Sequence, residues 1–265
     1  MQRISLSTGV SLDVATAGDP ADPALFFLHG FPESHRTWRH QLAEFGRDHF
    51  CVAPDQRGFA RSEKPDGIDA YTPDKPVADL IALADDFGVD RFQAIAPHPQ
   101  VFQRSLLDDR DQRAASQYIR AFRNPDLERH IETMGLETFF DTTFVKHADA
   151  ALLAPEKAAY LDEWSQPGAL TAMLNWYRAS VIQVPAMDEE IERPPFVDAP
   201  FPPVQMPTLV IWGMNDVALL PCQLDGLDAV VPDLTIKRID AGHFVPWEAP
   251  DAVNAAMRAW LTAPA

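Results

Sequence analysis

Cysteine is nearly absent from this chain, which has two, Cys51 and Cys222, among its 265 residues. Two cysteines cannot build the disulfide framework of a small secreted scaffold. Neither has metal-ligand spacing around it, so the sequence predicts no metal site. This cysteine content is compatible with a reducing compartment.

A basic run is also missing. The chain carries 39 acidic and 22 basic residues, which gives a formal net charge of −17 at pH 7. Such a surface repels a nucleic-acid backbone and an anionic membrane unless a local basic patch intervenes. We therefore expect neither a nucleic acid nor a membrane as partner.

Long apolar runs are missing too, since none approaches the roughly 20 residues that span a bilayer. The start, Met1-Gln2-Arg3-Ile4, shows no apolar signal segment. We therefore expect a soluble, cytoplasmic protein. The 46% of apolar and 23% of charged residues are typical of a globular chain, long enough for one core with a smaller inserted domain.

Short apolar runs separated by helical patterns predict an α/β fold with a mostly parallel sheet flanked by helices. Apolar residues alternate around Thr8-Gly9, which predicts an opening hairpin. The predicted buried strands are residues 24–28, 50–53, 92–96, 208–212 and 235–239. The predicted helices include one at 77–87, with an apolar stripe of Val77, Leu80, Ile81 and Ala84 and with Asp79 on another face, and one that starts at Pro250.

The character of the chain changes from residue 100 to residue 204, where periodic helical segments and aromatic residues predominate. This stretch ends in a run from Pro194 to Pro207 that contains six prolines. The pattern predicts a helical cap and a stiff linker at 100–204, inserted into a core formed by 1–99 and 205–265.

Three candidate site residues follow predicted strands. Phe31 lies in His29-Gly30-Phe31-Pro32, where its backbone N–H could face a developing oxyanion, although a tight turn alone gives the same pattern. Asp216 follows the predicted strand at 208–212 and His243 follows the one at 235–239, so both should reach the carboxyl edge of the sheet. A carboxylate that orients an imidazole is what a general base requires.

Other polar residues near strand ends are better explained by structural roles. Asp55 and Arg57 follow a strand and are expected to fix loops beneath the site. His98 is confined between Pro97 and Pro99, and we expect it to be structural as well.

The chain resembles α/β-hydrolases of the epoxide hydrolase and haloalkane dehalogenase group over almost its whole length. The matching segments are HGFPES (29–34), DQRGFARSEKP (55–65), APHP (96–99), NWYR (175–178), DVALLP (216–221) and AGHFVPWEAP (241–250). The resemblance implies a base at His243, an acid at Asp216, and cap tyrosines at Tyr177 and, by a weaker match, Tyr118. It further implies no cofactor and a small apolar, epoxide-like substrate in a pocket between core and cap, since the tyrosine pair favours epoxides over halides.

One departure from that family is severe. Members place a strand, a Gly-His-Asp-x-Gly nucleophile elbow and a helix between the residues that match Arg91-Phe92 and those that match Ala94-Ile95. Here Gln93 alone fills that place, and no G-x-[D/S]-x-G turn occurs anywhere. The loss corresponds to roughly 25 residues, or one strand-helix unit. The resemblance thus predicts a hydrolase fold one unit short, without a nucleophile and with little or no turnover.

Several alternatives stay open at this point. His243 and Asp216 could activate water directly and give slow hydrolysis, or the chain could be a non-catalytic protein that binds a small ligand. A homodimer in which a second chain donates the missing strand is a further possibility. The junction could also reflect a gene lesion or an engineered change.

Overall fold

A computed structural model describes residues 1–89, 99–145, 150–200 and 202–263. The strands are β1 (Gln2–Ser5), β2 (Ser11–Ala17), β3 (Ala24–Phe26), β4 (Phe50–Pro54), β5 (Thr208–Gly213) and β6 (Leu234–Ile239). The helices are α1 (Arg39–Phe45), α2 (Asp74–Asp86), α3 (Pro99–Asp108), α4 (Arg110–Ala115), α5 (Gln117–Phe122), α6 (Leu127–Met134), α7 (Leu136–Phe140), α8 (Ala150–Leu153), α9 (Lys157–Trp164), α10 (Ala169–Arg178), α11 (Val245–Glu248) and α12 (Pro250–Leu261). Short 3-10 turns lie at His35–Trp38, Ile68–Tyr71, Pro195–Val197, Pro221–Leu224 and Leu227–Ala229, and a π turn lies at Asp141–Val145.

The chain forms two compact units. The first contains Met1–Ile95 and Phe122–Ser180, and the second contains Ala96–Ala121 and Val181–Ala265. The predicted division into a core and a 100–204 cap stays a prediction. Within the described ranges, every helix is too short or too polar to cross a bilayer.

The first unit holds a four-stranded sheet in the order β1-β2-β4-β3. β1 and β2 form the predicted antiparallel hairpin, which Leu6 N–H closes on the Val10 carbonyl at 2.9 Å. All five residues of β4 are buried, as its continuous apolar run predicts, and β4 pairs in parallel with β3. These strands bring the loops after β3 and β4 to one edge of the sheet.

The second unit holds β5 and β6, which pair in parallel from Thr208 and Leu234 to Gly213 and Ile239. Both strands appear where apolar runs predicted them. α12 starts at Pro250 as expected, and it buries Val253 and Met257. The predicted strand at 92–96 lies outside the described residues.

Half of the predicted buried face of α2 is confirmed, since Ala84 is buried and Leu80 packs against the core, and the other half is wrong. Val77 and Ile81 are 55% and 53% exposed, whereas Asp79 and Leu83 are buried. The reason is a buried ion pair, because Arg57 binds the Asp79 carboxylate through two nitrogens. Asp79, which the apolar pattern placed outside the buried stripe, is therefore on the buried face of α2 together with Leu83.

Side-chain amides hold residues 183–199, which lead into the proline-rich run and form its start. These residues make few regular backbone hydrogen bonds, since proline lacks an N–H and the segment forms no strand. The bonds run from Gln100 to the Phe196 and Ala199 carbonyls, from Gln103 to both backbone groups of Gln183, and from Gln117 to the Pro185 carbonyl. Glutamines of α3 and α5 thus serve as the hydrogen-bonding partners of this segment.

Candidate active site

His243 and Asp216 lie together in the second unit. Each follows one of the two paired strands, His243 after β6 and Asp216 after β5. His243 Nδ1 is 2.8 Å from Asp216 Oδ2. The carboxylate is buried, and the imidazole is 25% exposed. Since a carboxylate only accepts hydrogen bonds, this contact places a proton on Nδ1 of the imidazole.

The acid loop, which we define as residues 216–221, also orients the Asp216 carboxylate. Asp216 Oδ1 accepts hydrogen bonds from the backbone N–H groups of Ala218 and Leu219 at 2.8 and 2.9 Å. These bonds fix the carboxylate plane and direct Oδ2 toward His243. The local chain therefore presents the acid in one orientation, which is what a positioned general base needs.

A close backbone approach holds the base loop, which we define as residues 240–244. A Cβ atom at Gly213 would lie 2.1 Å from the Gly242 carbonyl oxygen and 2.7 Å from that of Ala241. Only glycine leaves room for the two chains at this point. The end of β5 and the loop that carries His243 are therefore packed backbone against backbone.

Glu248 anchors the same loop, and sequence reasoning missed it. Its carboxylate accepts the Gly242 N–H at 2.8 Å and the Phe244 N–H at 2.7 Å, the two amides that flank His243. The available signal was an acidic residue within the AGHFVPWEAP motif, placed in α11 directly after the base. Charge-assisted bonds of this kind are stronger than neutral ones.

In the first unit, the predicted oxyanion loop follows β3. Its histidine, His29, is buried, and its Nε2 accepts the Gln56 N–H at 3.1 Å. Nδ1 therefore carries the proton and donates to the Gly30 carbonyl at 2.9 Å. Burial lowers the pKa of His29 despite the opposing effect of Asp55, so the ring is neutral. His29 fastens this loop to the loop after β4.

Tyr177 packs against Phe31 in the first unit. The two ring centroids are 5.2 Å apart with planes at 85°, and Phe122 contacts both rings at 4.9 and 5.1 Å. Edge-to-face contacts of this kind favour a fixed ring orientation. Arg123 donates to the Tyr177 carbonyl at 2.8 Å and so holds the end of α10. The predicted cap tyrosine is therefore placed beside the loop that contains Phe31.

Tyr118, the weaker candidate, lies half-buried in α5, four residues before Phe122.

Asp55 accepts hydrogen bonds from both the backbone N–H and Nδ1 of His35, each at 2.8 Å. The Arg57 side chain is occupied by Asp79 and by the Ala70 carbonyl. These contacts give Asp55 and Arg57 the loop-fixing positions expected of them.

Two further sequence findings bear on the chemistry. The Asp90–Ala94 junction and the first three residues of the Ala96–Pro99 motif, which include His98, lie outside the described residues. Within the described part of the chain, no cluster of three or more His, Cys, Asp or Glu side chains is arranged to hold a metal ion.

Comparison with known proteins identifies the family. A family model for the alpha/beta hydrolase fold matches residues 23–101. The AB hydrolase superfamily protein YfhM of Bacillus subtilis is 30% identical, and the alignment covers 94% of this chain and 93% of that protein. This alignment spans 278 positions, more than the 265 residues of the whole chain, so YfhM has residues without a counterpart here.

Proteins named as epoxide hydrolases match over similar lengths. Epoxide hydrolase 3 of Mus musculus is 28% identical over 96% of this chain and 75% of its own. A solved structure of an epoxide hydrolase from metagenomes of hot environments is 42% identical, with a TM-score of 0.90, and covers 99% of this chain and 98% of its own. The Bacillus megaterium epoxide hydrolase bound to an inhibitor is 27% identical, with a TM-score of 0.82, 99% coverage of this chain and 100% of its own. The chain belongs to the α/β-hydrolase superfamily and is an epoxide hydrolase-like member of it.

Proposed function

We propose that this chain is an epoxide hydrolase-like protein that keeps its base and acid but lacks a nucleophile, and that it turns over epoxides little or not at all. The observation that carries the proposal is the sequence itself. Gln93 alone stands where the family has its nucleophile elbow, and no G-x-[D/S]-x-G turn occurs elsewhere.

Each retained group has a role in this proposal. Tyr177 donates a hydrogen bond to the epoxide oxygen, with Tyr118 as the second candidate donor, and the Phe31 N–H faces a developing oxyanion. His243 takes a proton from water through Nε2, and Asp216 stabilises the resulting imidazolium. Without an attacking carboxylate the ester that this water would hydrolyse does not form.

The proposed relationship of this chain to epoxide hydrolases is supported by its 42% identity to a solved epoxide hydrolase over 99% of this chain. The division into a core at 1–99 and 205–265 and a cap at 100–204, with a pocket for a small apolar molecule, is part of the proposal. So is the absence of a cofactor, because the roles above need only side chains and water.

A second function is favoured by one contact, the 2.8 Å hydrogen bond between His243 and Asp216. An imidazole held in this tautomer can deprotonate water without a nucleophile on the enzyme. The chain would then hydrolyse an epoxide directly and slowly, with no covalent intermediate.

The test is a sensitive turnover assay on styrene oxide that compares the chain with His243→Ala. The leading proposal expects equal rates at the uncatalysed background. A rate that requires His243 contradicts it and favours direct attack by water. A single turnover in ¹⁸O-labelled water then distinguishes direct attack by water from a route through a covalent ester. Direct attack puts ¹⁸O into the diol in the first turnover. A covalent route puts the ¹⁸O into the enzyme carboxylate first.

A chimera provides the matched positive control. The strand, elbow and helix of an active relative, roughly 25 residues, replace Gln93 between Phe92 and Ala94. The proposal expects a gain of at least about 10³-fold in turnover, since losing a nucleophile costs orders of magnitude. This gain must vanish when His243→Ala is added. A folded chimera without any gain would show that the retained groups are not a working site.

Ligand binding is measured in the same series. Thermal stabilisation by styrene oxide or its diol, without product, would assign a binding function to the retained site. Because the aromatic contact between Phe31 and Tyr177 would line such a site, Tyr177→Ala should abolish that stabilisation.

A further inference from the structure

Gln112 is a fully buried polar residue that no sequence motif singled out. It lies in α4, and its side chain has no exposed surface. An amide in such a place must satisfy two donors and two acceptor positions, since unpaired buried polar groups are costly. Its partners therefore show what the side chain holds in place.

The principal partners of Gln112 are backbone atoms of the acid loop. Gln112 Nε2 donates to the Ala218 carbonyl at 2.8 Å, and Gln112 Oε1 accepts the Leu220 N–H at 2.8 Å. The amide thus pairs with alternate residues of the loop, as a neighbouring strand would. Residues 218 and 220 cannot shift without breaking both bonds.

The remaining bonding positions of the amide are also filled. Gln112 Nε2 donates to Ser116 Oγ at 2.8 Å, and the Cys222 thiol donates to Gln112 Oε1 at 3.8 Å. Burial raises the pKa of Cys222 to about 11, so this thiol keeps its proton and can donate. The three bonds at 2.8 Å, to Ala218, Leu220 and Ser116, leave the Gln112 amide one orientation.

Ala218 links this amide to the acid. Its N–H donates to Asp216 Oδ1, while its carbonyl accepts from Gln112. The other carboxylate oxygen accepts from His243. A single residue therefore stands between the buried amide and the carboxylate that orients the imidazole.

We propose that Gln112 is the positioning residue for Asp216, holding the acid loop so that the carboxylate stays in register with His243. The inference rests on the proposed role of these two residues as acid and base. Gln112 itself touches no reacting atom, and it acts through the backbone of residues 218 and 220.

The test separates positioning from general stability by using a second buried glutamine. Gln103 is also fully buried in the same unit, and it bonds both backbone groups of Gln183, far along the chain from the acid loop. Gln112→Leu and Gln103→Leu remove the same group from similar surroundings. Only the first should disturb the bond between His243 and Asp216.

The readout is the downfield proton NMR signal of the His243 Nδ1–H, assigned by its loss in His243→Ala. In Gln112→Leu we expect its exchange with solvent to accelerate by about tenfold or more, or the signal to disappear, because the loop can open. In Gln103→Leu it should persist. A signal unchanged in Gln112→Leu overturns the inference, and so does equal loss in both variants.

Leu220→Pro covers the case in which Gln112→Leu does not fold. The backbone φ of Leu220 is −68°, which proline adopts, and the substitution removes the N–H that binds Gln112 Oε1. Faster exchange of the His243 proton supports the inference, and unchanged exchange overturns it. None of these signals depends on turnover, so an inactive protein would leave the result standing, and an active one would contradict only the proposed function.

Discussion

The Arg57 guanidinium and the Asp79 carboxylate form a bidentate ion pair inside the first unit. Arg57 Nε lies 2.6 Å from Asp79 Oδ2, and Nη2 lies 2.7 Å from Oδ1, with both side chains about 95% buried or more. Thr8 adds a third bond to the same carboxylate at 2.6 Å. The loop after β4, the hairpin turn and α2 are therefore joined through one charged centre.

Asp79→Ala should lower the free energy of unfolding by about 3–5 kcal/mol, because it leaves the Arg57 charge buried without its partner. Urea unfolding measures the change. The double variant Arg57→Met with Asp79→Leu should recover most of the loss, since no lone charge remains. Asp85→Ala on the exposed face of α2 is the control and should cost less than about 0.5 kcal/mol. An Asp79→Ala cost as small as the control's would show that the pair adds nothing.

Gly213→Ala should displace the base loop. The new methyl group would lie 2.1 Å from the Gly242 oxygen, a backbone atom, so we expect a loss of about 1–3 kcal/mol in unfolding free energy. The downfield His243 proton signal should weaken in the same variant. Gly30→Ala is the matched control for stability, because a Cβ there meets nothing within 4 Å. Equal stability of the two variants would rule out the close approach.

Glu248→Ala should free the two amides that flank His243. Each charge-assisted bond is worth about 1.5–3 kcal/mol, and part of this is recovered by water, so we expect a net loss of about 2 kcal/mol. Hydrogen exchange of the Gly242 and Phe244 amides should accelerate. Glu248→Gln keeps one acceptor and should protect one of the two amides. Unchanged exchange in Glu248→Ala would contradict the contacts, and Glu190→Ala, an exposed site, serves as control.

His29 should make stability depend on pH. Its folded pKa lies below the ordinary value of 6.5 because the ring is buried, so the unfolded chain takes up the proton first as the pH falls. The stability that the neutral ring contributes is complete above pH 6.5 and is lost as the pH falls toward the folded pKa. Urea unfolding between pH 8 and pH 5 should therefore show a shallower decline for His29→Asn than for the unmodified chain. Parallel curves would refute this.

The elements that the sequence predicted well are those whose side chains carry the pattern. The period of two in the hairpin requires one buried face, and Ile4, Leu12 and Val14 are buried there, while the continuous apolar run of β4 requires burial throughout, and all of β4 is buried. The proximity of His243 and Asp216 was predictable because residues that follow parallel strands lie at the same edge of the sheet. This prediction needs only the sheet topology and no knowledge of which side chains pack around the two residues. Periodicity could not place Asp79, because its inward turn depends on an arginine 22 residues away.

The partners of Glu248 and Gln112 could not be predicted for a different reason, although the AGHFVPWEAP motif contains Glu248 itself. Both act on backbone N–H and carbonyl groups, which every residue except proline offers equally, so no pattern marks their partners. Such contacts emerge only when the fold brings a polar side chain to a loop. The anchoring of the base and acid loops was therefore hidden in residues that look ordinary in the sequence.

The glutamines that bind the segment before the proline-rich run have a consequence for its sequence. Because Gln103 and Gln117 recognise main-chain atoms of Gln183 and Pro185, the attachment takes no account of the side chains at those positions. Substitutions can accumulate there while the path of the chain is kept. The requirement for particular side chains falls instead on α3 and α5, which supply the amides, so Gln183 and Pro185 could be replaced without loss of these bonds.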